Sequence, residues 1–76
     1  MSTDPIKELI YAEEFYPFQI FHKKGRIYDI SAREFCWVSP VGVYVVTTDE
    51  HGRRVQEILN PAMIEKVRTH EEAGEK

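Results

Sequence analysis

The sequence is short of cysteine, of net positive charge and of long apolar runs. Cys36 is the only cysteine among 76 residues, so a disulfide cannot form within the chain. A single unpaired cysteine without a signal peptide is typical of the reducing cytoplasm. The longest apolar run, Val41–Val46, is far shorter than the ~20 residues of a membrane-spanning helix. We therefore expect a soluble cytoplasmic protein without membrane contact.

A net positive charge is also absent. Ten Lys and Arg residues stand against 13 Asp and Glu residues, for a net charge of −3. This balance argues against a protein dedicated to nucleic acid, because phosphate contacts favour a basic surface. Cations nevertheless outnumber acids within residues 18–33 and within residues 51–68. Two interpretations stay open: a solvated surface of mixed sign, or a local basic patch where these segments meet.

A chain of this length makes a single small domain. Such a domain buries only about 60% of the surface that its unfolded chain exposes, and small domains often gain stability from a partner or from self-association. We place the domain at residues 1–70. The segment 71–76 is rich in glutamate, so we expect a disordered acidic tail.

The N-terminal segment has the residues that begin a helix. Asp4 is suited to the N-cap and Pro5 to the first helical position. Apolar residues then recur at the spacing of a single helical face, and Pro17 forces the residue before it out of the helical conformation. The pattern predicts a helix over about residues 4–15 with three residues packed inward: Ile6, Leu9 and Ile10.

After Pro17 the apolar residues alternate with a period of two, which is typical of strands. Gly25 and Gly52 lie in short polar segments typical of turns, and Pro40–Gly42 separates two further runs. Five strands with such short connections predict an antiparallel meander. A meander this short protects its edges best by curling into a small barrel. The predicted strands fall within residues 18–23, 26–31, 34–39, 42–49 and 53–60.

The C-terminal segment allows two interpretations. Asn60 as a cap, Pro61 at the first helical position and Gly74 as a stop predict a helix. The alternative is a turn at Pro61–Met63 followed by a sixth strand, Ile64–Arg68. We favour the strand because five open strands would leave an edge unpaired. The expected fold class is mainly β, with an N-terminal helix and a five- to six-stranded antiparallel barrel.

This order of elements resembles the small barrels of the Sm-like and SH3-like families. Over residues 15–68 the chain is also similar to a group of small bacterial proteins of unassigned function. In that group a Pro-Phe pair opens the first strand, a Gly-Arg pair marks the hairpin and an aromatic residue follows in the second strand. Those places are held here by Pro17-Phe18, by Gly25-Arg26 and by Tyr28.

Sm-like proteins assemble into rings of six or seven subunits and bind RNA through two loops, which is the function that the resemblance implies. The first motif of that family has a glycine in the second strand, with Asp and Asn near the third. Residues 26–35 contain neither glycine nor asparagine. The counterpart of the second motif, residues 58–67, lacks the basic-glycine or lysine-histidine pair. The resemblance therefore implies the shape of the family, and its RNA-binding residues are not matched here.

Two glycine-bearing turns carry clustered cations. Each is either only a soluble hairpin tip, in which glycine supplies a positive φ angle, or part of a phosphate site at which nearby aromatic residues stack on bases. We take the turn as the first interpretation and the phosphate site as the second. The candidate nucleic-acid contacts are Lys23, Lys24, Arg26, Arg53 and Arg54, with Phe21, Tyr28 or Tyr44 as stacking platforms.

No cluster of residues points to catalysis, a metal or a cofactor. His22, His51 and His70 are too far apart in sequence for a local metal motif. The glycines are isolated and form no phosphate loop, and the interior of so small a barrel is filled by its own side chains. We therefore predict no catalytic residue, no metal and no cofactor, and a protein that is not an enzyme.

Large apolar residues occupy both faces of the predicted strands. One face fills the core, so the other must lie under the N-terminal helix or against another molecule. The first functional hypothesis is therefore non-enzymatic self-association or binding to another protein, and the second is Sm-like binding of nucleic acid. The predicted interaction surface comprises Phe21, Tyr28, Trp37 and Tyr44.

Overall fold

The structure, a computed structural model, describes residues 2–69. The predicted acidic tail, residues 71–76, lies outside the described residues. The described chain contains one helix, six strands and two short 3-10 turns, at Arg33–Phe35 and Pro61–Met63. The helix and strands are α1 (Asp4–Tyr11), β1 (Phe18–His22), β2 (Ile27–Ile30), β3 (Cys36–Ser39), β4 (Gly42–Thr48), β5 (Arg54–Leu59) and β6 (Ile64–Thr69).

The strands form two antiparallel three-stranded sheets. Sheet I has the order β2-β1-β6 and sheet II the order β3-β4-β5. The predicted meander is interrupted between β2 and β3, because the 3-10 turn at Arg33–Phe35 takes the chain from one sheet to the other. The mainly antiparallel β class with one N-terminal helix is confirmed. Across residues 2–69 the two sheets do not close into a barrel, so the Sm-like or SH3-like barrel stays a prediction.

The helix is shorter than predicted at its C-terminal end and begins differently. Thr3, not Asp4, occupies the N-cap position, and its side chain makes no capping hydrogen bond. The helix ends at Tyr11, well before Pro17, because Ala12 is already extended. The predicted inward face is confirmed: two of its residues are buried and the third packs against the core, namely Ile6, Ile10 and Leu9.

The C-terminal segment forms the turn and strand, so the competing helix interpretation is wrong. The side chain of Asn60 accepts a hydrogen bond from the Ala62 backbone N–H over 2.9 Å and closes a single 3-10 turn. The following strand then pairs with β1, from Phe18 opposite Thr69 to His22 opposite Ile64, with a bulge after Phe21. This pairing satisfies backbone N–H and C=O groups of the segment, which in a helix would have bonded to each other.

Two glycines allow the tight connections between strands. Gly25 has a φ of 95° in the β1–β2 turn, a conformation that side-chain-bearing residues rarely adopt. Gly42 lies against β5, where a Cβ atom would stand 2.8 Å from the backbone oxygen of Leu59. Sheet II therefore depends on the absence of a side chain at Gly42.

The core lies between the two sheets and under α1. In β1, Phe18 and Ile20 point inward and Phe21 outward, and in β4 the same alternation sets Val43 and Val45 against Tyr44. The helix contributes Ile6 and Ile10 to this same core. The buried hydrophobic residues are Ile6, Ile10, Phe18, Ile20, Tyr28, Ile30, Cys36, Val43, Val45, Leu59 and Ile64.

Candidate functional site

The outer face of sheet II carries a row of three large apolar side chains, one on each strand. Trp37 lies opposite Tyr44, which in turn lies opposite Ile58. The rings of Trp37 and Tyr44 are almost parallel, at 8° and with centroids 5.0 Å apart. Trp37 is 39% exposed and Ile58 57% exposed. These three residues, called the aromatic row below, are neighbours across the three strands, with Tyr44 half-buried between the two more exposed side chains.

The surroundings of the aromatic row are almost free of charge. By strand alternation and register, the other outward positions of sheet II hold small, polar or aliphatic side chains and one charged residue, Arg54. The Arg54 guanidinium lies at the far end of the face, with its Cζ atom 5.2 Å from the centroid of the Phe35 ring. No charged side chain therefore lies next to the apolar centre of this face.

The outer face of sheet I has the opposite character. Phe21 lies opposite Lys66 on β6 and opposite Ile27 on β2. The Lys66 Nζ atom is 4.9 Å, and the Arg68 Cζ atom 5.7 Å, from the centroid of the Phe21 ring. Ile27 is 52% exposed. We call Phe21, Ile27, Lys66 and Arg68 the cationic face, because the cations of Lys66 and Arg68 interact with the Phe21 ring, which lies on the central strand.

Lys66 and Arg68 were not among the residues predicted from the sequence. They share a face because they are two residues apart on a strand, and they reach Phe21 only because β6 pairs with β1. Alternation within the predicted last strand could have placed the two cations on one side of it. The identity of the neighbouring strand, however, depends on a contact between distant parts of the chain.

Three of the predicted nucleic-acid contacts already have partners within the chain: Arg26, Arg53 and Arg54. Arg26 contacts Glu57 through Nη2 and Oε2 at 3.3 Å and also lies over the ring of Tyr28. Arg53 pairs with Asp49 at 3.7 Å. Two further predicted contacts, Lys23 and Lys24, have exposed side chains in the β1–β2 turn.

The prediction that Tyr28 is part of an interaction surface is wrong. It is only 3% exposed, because it occupies an inward position of β2 opposite Ile20. Its hydroxyl donates a hydrogen bond to Glu57 Oε1 over 2.9 Å and so connects sheet I to sheet II. Burial, together with this hydrogen bond to a carboxylate, raises the pKa of Tyr28 above 10.0. The residue is part of the core, whereas Phe21, Trp37 and Tyr44 lie on outer faces.

The thiol of Cys36 is buried. Burial raises the pKa of the Cys36 thiol to about 12, so the thiol stays protonated at neutral pH and is a poor nucleophile. No group of three or more His, Cys, Asp or Glu side chains within residues 2–69 is placed to hold a metal ion. His70 lies outside the described residues.

A shallow hollow of about 480 Å³ opens beside β2 and the end of β4. Its walls mix a carboxylate, a guanidinium, hydroxyls and apolar side chains, with no charge of one sign dominating. The lining residues are Ile27, Asp29, Ser31, Phe35, Val46, Thr47, Thr48 and Arg54.

Comparison with known proteins does not assign the chain. No protein-family model, curated protein or solved structure matches it. Within the described residues, no helix has both the length and the apolar character needed to cross a membrane.

Proposed function

We propose that this protein is a non-enzymatic binding module that acts through the aromatic row, by self-association or by binding another protein. The observation that supports this function is the exposure of Trp37 and Ile58 on either side of Tyr44 on one sheet face. Exposed contiguous apolar surface is costly in water, and aromatic residues are enriched at the centres of protein interfaces. The free thiol of Cys36 supports action in a reducing compartment such as the cytoplasm.

The chain offers a closely matched pair of substitutions to test this function. Ile58→Glu places a charge in the aromatic row, and Ile27→Glu makes the same change at a residue of similar exposure on the other sheet. The wild type and Ile27→Glu should form a complex, either with themselves in purified solution or with a protein retained from cell extract. Ile58→Glu should form neither complex. Wild-type complexes that persist in Ile58→Glu would refute the proposal.

We also propose that the fold of the module is a small barrel of the Sm-like or SH3-like kind. In its favour, the first and last strands are neighbours, since β6 pairs with β1. A short 3-10 turn also precedes the last strand. An experimental structure with hydrogen bonds between strands of the two sheets would bear this out. Two sheets joined only by side-chain packing would contradict it.

The second candidate function is binding of single-stranded nucleic acid by the cationic face. Its supporting observation is the interaction of Lys66 and Arg68 with the Phe21 ring, beside the lysines of the β1–β2 turn. An aromatic side chain bordered by cations suits a base that stacks while its phosphates are neutralised. Of the five contacts predicted from the sequence, this candidate keeps Lys23 and Lys24. The other three, Arg26, Arg53 and Arg54, already have contacts within the chain.

Two double variants, each of which lacks two positive charges, test whether the cationic face or the predicted turn arginines bind nucleic acid. If the cationic face binds nucleic acid, Lys66→Ala/Arg68→Ala should lower the affinity for a labelled single-stranded oligonucleotide more than Arg53→Ala/Arg54→Ala does. The wild-type affinity should also fall steeply with salt concentration, because binding releases counterions. Equal losses in the two variants would assign the effect to net charge alone. No wild-type binding at low salt would exclude this candidate.

A further inference from the structure

We infer that the hollow beside β2 and the end of β4 binds a small zwitterion with an apolar side chain, the class to which free amino acids such as leucine belong. The volume of the hollow, about 480 Å³, lies within the roughly 300–1,000 Å³ of typical small-molecule sites. Its lining includes none of the three residues of the aromatic row. The inference therefore concerns a second site and does not rest on the proposed function.

Three parts of the chain meet at this hollow. β2 contributes Asp29, the 3-10 turn that joins the two sheets contributes Phe35, and the paired ends of β4 and β5 contribute Thr48 and Arg54. The hollow thus forms where the chain passes from sheet I to sheet II. Neither sheet alone supplies its walls, so the site exists only when the two sheets are packed together.

Arg54 supplies an anion-binding group. Its Cζ atom lies 5.2 Å from the centroid of the Phe35 ring, a cation–π contact that holds the guanidinium beside the hollow. The ion pairs formed within residues 2–69 do not include Arg54. The forked N–H donors of a guanidinium match the two oxygens of a carboxylate. Arg54 is therefore suited to bind the carboxylate of a ligand.

Asp29 supplies a carboxylate to the same hollow. Its Oδ1 atom accepts a hydrogen bond from Nε2 of Gln19 over 2.9 Å, which restrains the side chain on the outer side of β2. An ionised carboxylate has about four positions at which it accepts hydrogen bonds. Asp29 can therefore bind the ammonium group of a ligand in addition to its contacts within the chain.

The rest of the lining is uncharged. Ile27 and Val46 give the hollow aliphatic surface, and Ile27 is 52% exposed. An apolar side chain on the ligand would remove this surface from water, which is favourable. Ser31, Thr47 and Thr48 add hydroxyl groups, which can donate to a carboxylate or accept from an ammonium group.

This combination of groups disfavours other classes of ligand. A nucleotide or another multiply charged anion would bring negative charge next to Asp29, and a simple cation would lie beside Arg54. A purely apolar ligand would remove both charged side chains from water without replacing their hydrogen bonds. A zwitterion pairs with both charges, and its net charge of zero equals that of the lining, which has one guanidinium and one carboxylate.

Amide resonances of the 15N-labelled wild type, recorded as L-leucine is added from micromolar to tens of millimolar concentration, test the inference. Because the ligand is small and the hollow shallow, we expect a Kd in the millimolar range. The resonances of Ser31, Thr47 and Thr48 should shift, and the indole N–H of Trp37 should not. Constant resonances at the hollow, or larger shifts at Trp37, would overturn the inference.

Leucine analogues test which groups of the ligand are recognised. N-acetyl-L-leucine lacks the ammonium group, isoamylamine lacks the carboxylate, and glycine lacks the apolar side chain. Each should bind more weakly than L-leucine, because each leaves one part of the lining without its partner. If N-acetyl-L-leucine and isoamylamine both bind as tightly as L-leucine, recognition of a zwitterion is refuted.

A matched pair of arginine variants tests the assigned residue. Arg54→Ala should lower the affinity for L-leucine by about fivefold or more, because a charge-assisted contact with the carboxylate is lost. Arg53→Ala removes the same charge from a residue that pairs with Asp49 outside the hollow and should bind as the wild type does. Equal losses in the two variants would overturn the assignment to Arg54. The 15N spectrum of each variant checks that it is folded.

Two further variants complete the test. Asp29→Asn keeps the shape of the side chain and removes its charge, so it should bind L-leucine more weakly and discriminate less against N-acetyl-L-leucine. Unchanged binding by Asp29→Asn would contradict the proposed ammonium contact. Ile58→Glu, which disrupts the aromatic row, should bind L-leucine as the wild type does. Failure of this inference is therefore distinguishable from failure of the proposed function.

Discussion

The two sheets each carry an outward aromatic residue on their central strand, yet its neighbours differ. On sheet II, Tyr44 is stacked on Trp37 and lies opposite Ile58. On sheet I, the Phe21 ring interacts with the cations of Lys66 and Arg68. The alternation along each strand is the same, so the difference comes from the strand placed beside it. Cross-strand pairing, and not the aromatic residue alone, decides which ligand each face suits.

The two faces should also respond differently to salt. Association through the neutral row is driven by burial of apolar surface, which excluded salts such as sulfate strengthen. Contacts of the cationic face with an anionic ligand weaken as salt screens the charges. Opposite salt responses would therefore identify which face is in use.

The substitution with the largest expected effect removes a side chain from the core that lies beneath both faces. Phe18 is fully buried between the sheets. Phe18→Ala should lower the free energy of unfolding by about 3–5 kcal/mol, measured by urea denaturation. Both faces should lose their binding together, because neither sheet keeps its position. Loss of binding at one face alone would show that the sheets fold independently.

Arg33 offers a smaller change that should spare both faces. Its Nη1 atom donates to the backbone oxygens of Ile10 and Ala12 over 2.7 and 2.8 Å and so satisfies the C-terminal end of α1. Arg33→Ala should lower the free energy of unfolding by about 2 kcal/mol, again by urea denaturation. At a temperature where the variant is fully folded, association through the aromatic row should be unchanged. Impaired association there would mean that α1 influences the outer faces.

Tyr28→Phe tests the hydrogen bond that connects the two sheets. Removing the hydroxyl breaks its hydrogen bond to Glu57 and should cost about 1 kcal/mol at neutral pH. The folded-state pKa of Tyr28 is raised above 10.0, chiefly because burial disfavours the phenolate. This contribution to stability is therefore present below pH 10.0 and is lost as the pH rises through the folded-state value. Thermal denaturation in alkaline buffers should show a shallower decline for Tyr28→Phe than for the wild type.

Cys36 should show the smallest effect. Its thiol is buried in sheet II, and its pKa is raised to about 12. A thiol-specific alkylating reagent should therefore leave the folded protein unmodified at neutral pH and modify it fully in denaturant, as measured by mass spectrometry. Rapid modification without denaturant would indicate that sheet II opens in the folded protein.

Local patterns predicted the elements well, because each depends on neighbouring residues. The alternation of Phe18, Ile20 and Phe21 identified the inward and outward sides of β1, and Gly25 marked the first turn. The C-terminal strand was predicted from the general need to protect an edge. These predictions required no knowledge of which strands pair.

The errors concern contacts between distant residues. The helix ends early where the guanidinium of Arg33 meets its last carbonyls, a partner more than twenty residues away. Tyr28 is buried because β2 presents that side to the core, whereas Lys66 and Arg68 flank Phe21 because β6 joins β1. Register and strand order set these contacts, and neither can be derived from the spacing of residues along the chain.

Fluorescence of the single tryptophan measures the central claim most directly, because Trp37 lies in the aromatic row and is the only tryptophan of the chain. As wild-type protein is concentrated from micromolar to millimolar, its emission should shift to shorter wavelength, since Trp37 leaves water on pairing. Ile27→Glu should show the same shift and Ile58→Glu none. Wild-type emission that stays constant over the whole range would contradict self-association through this face.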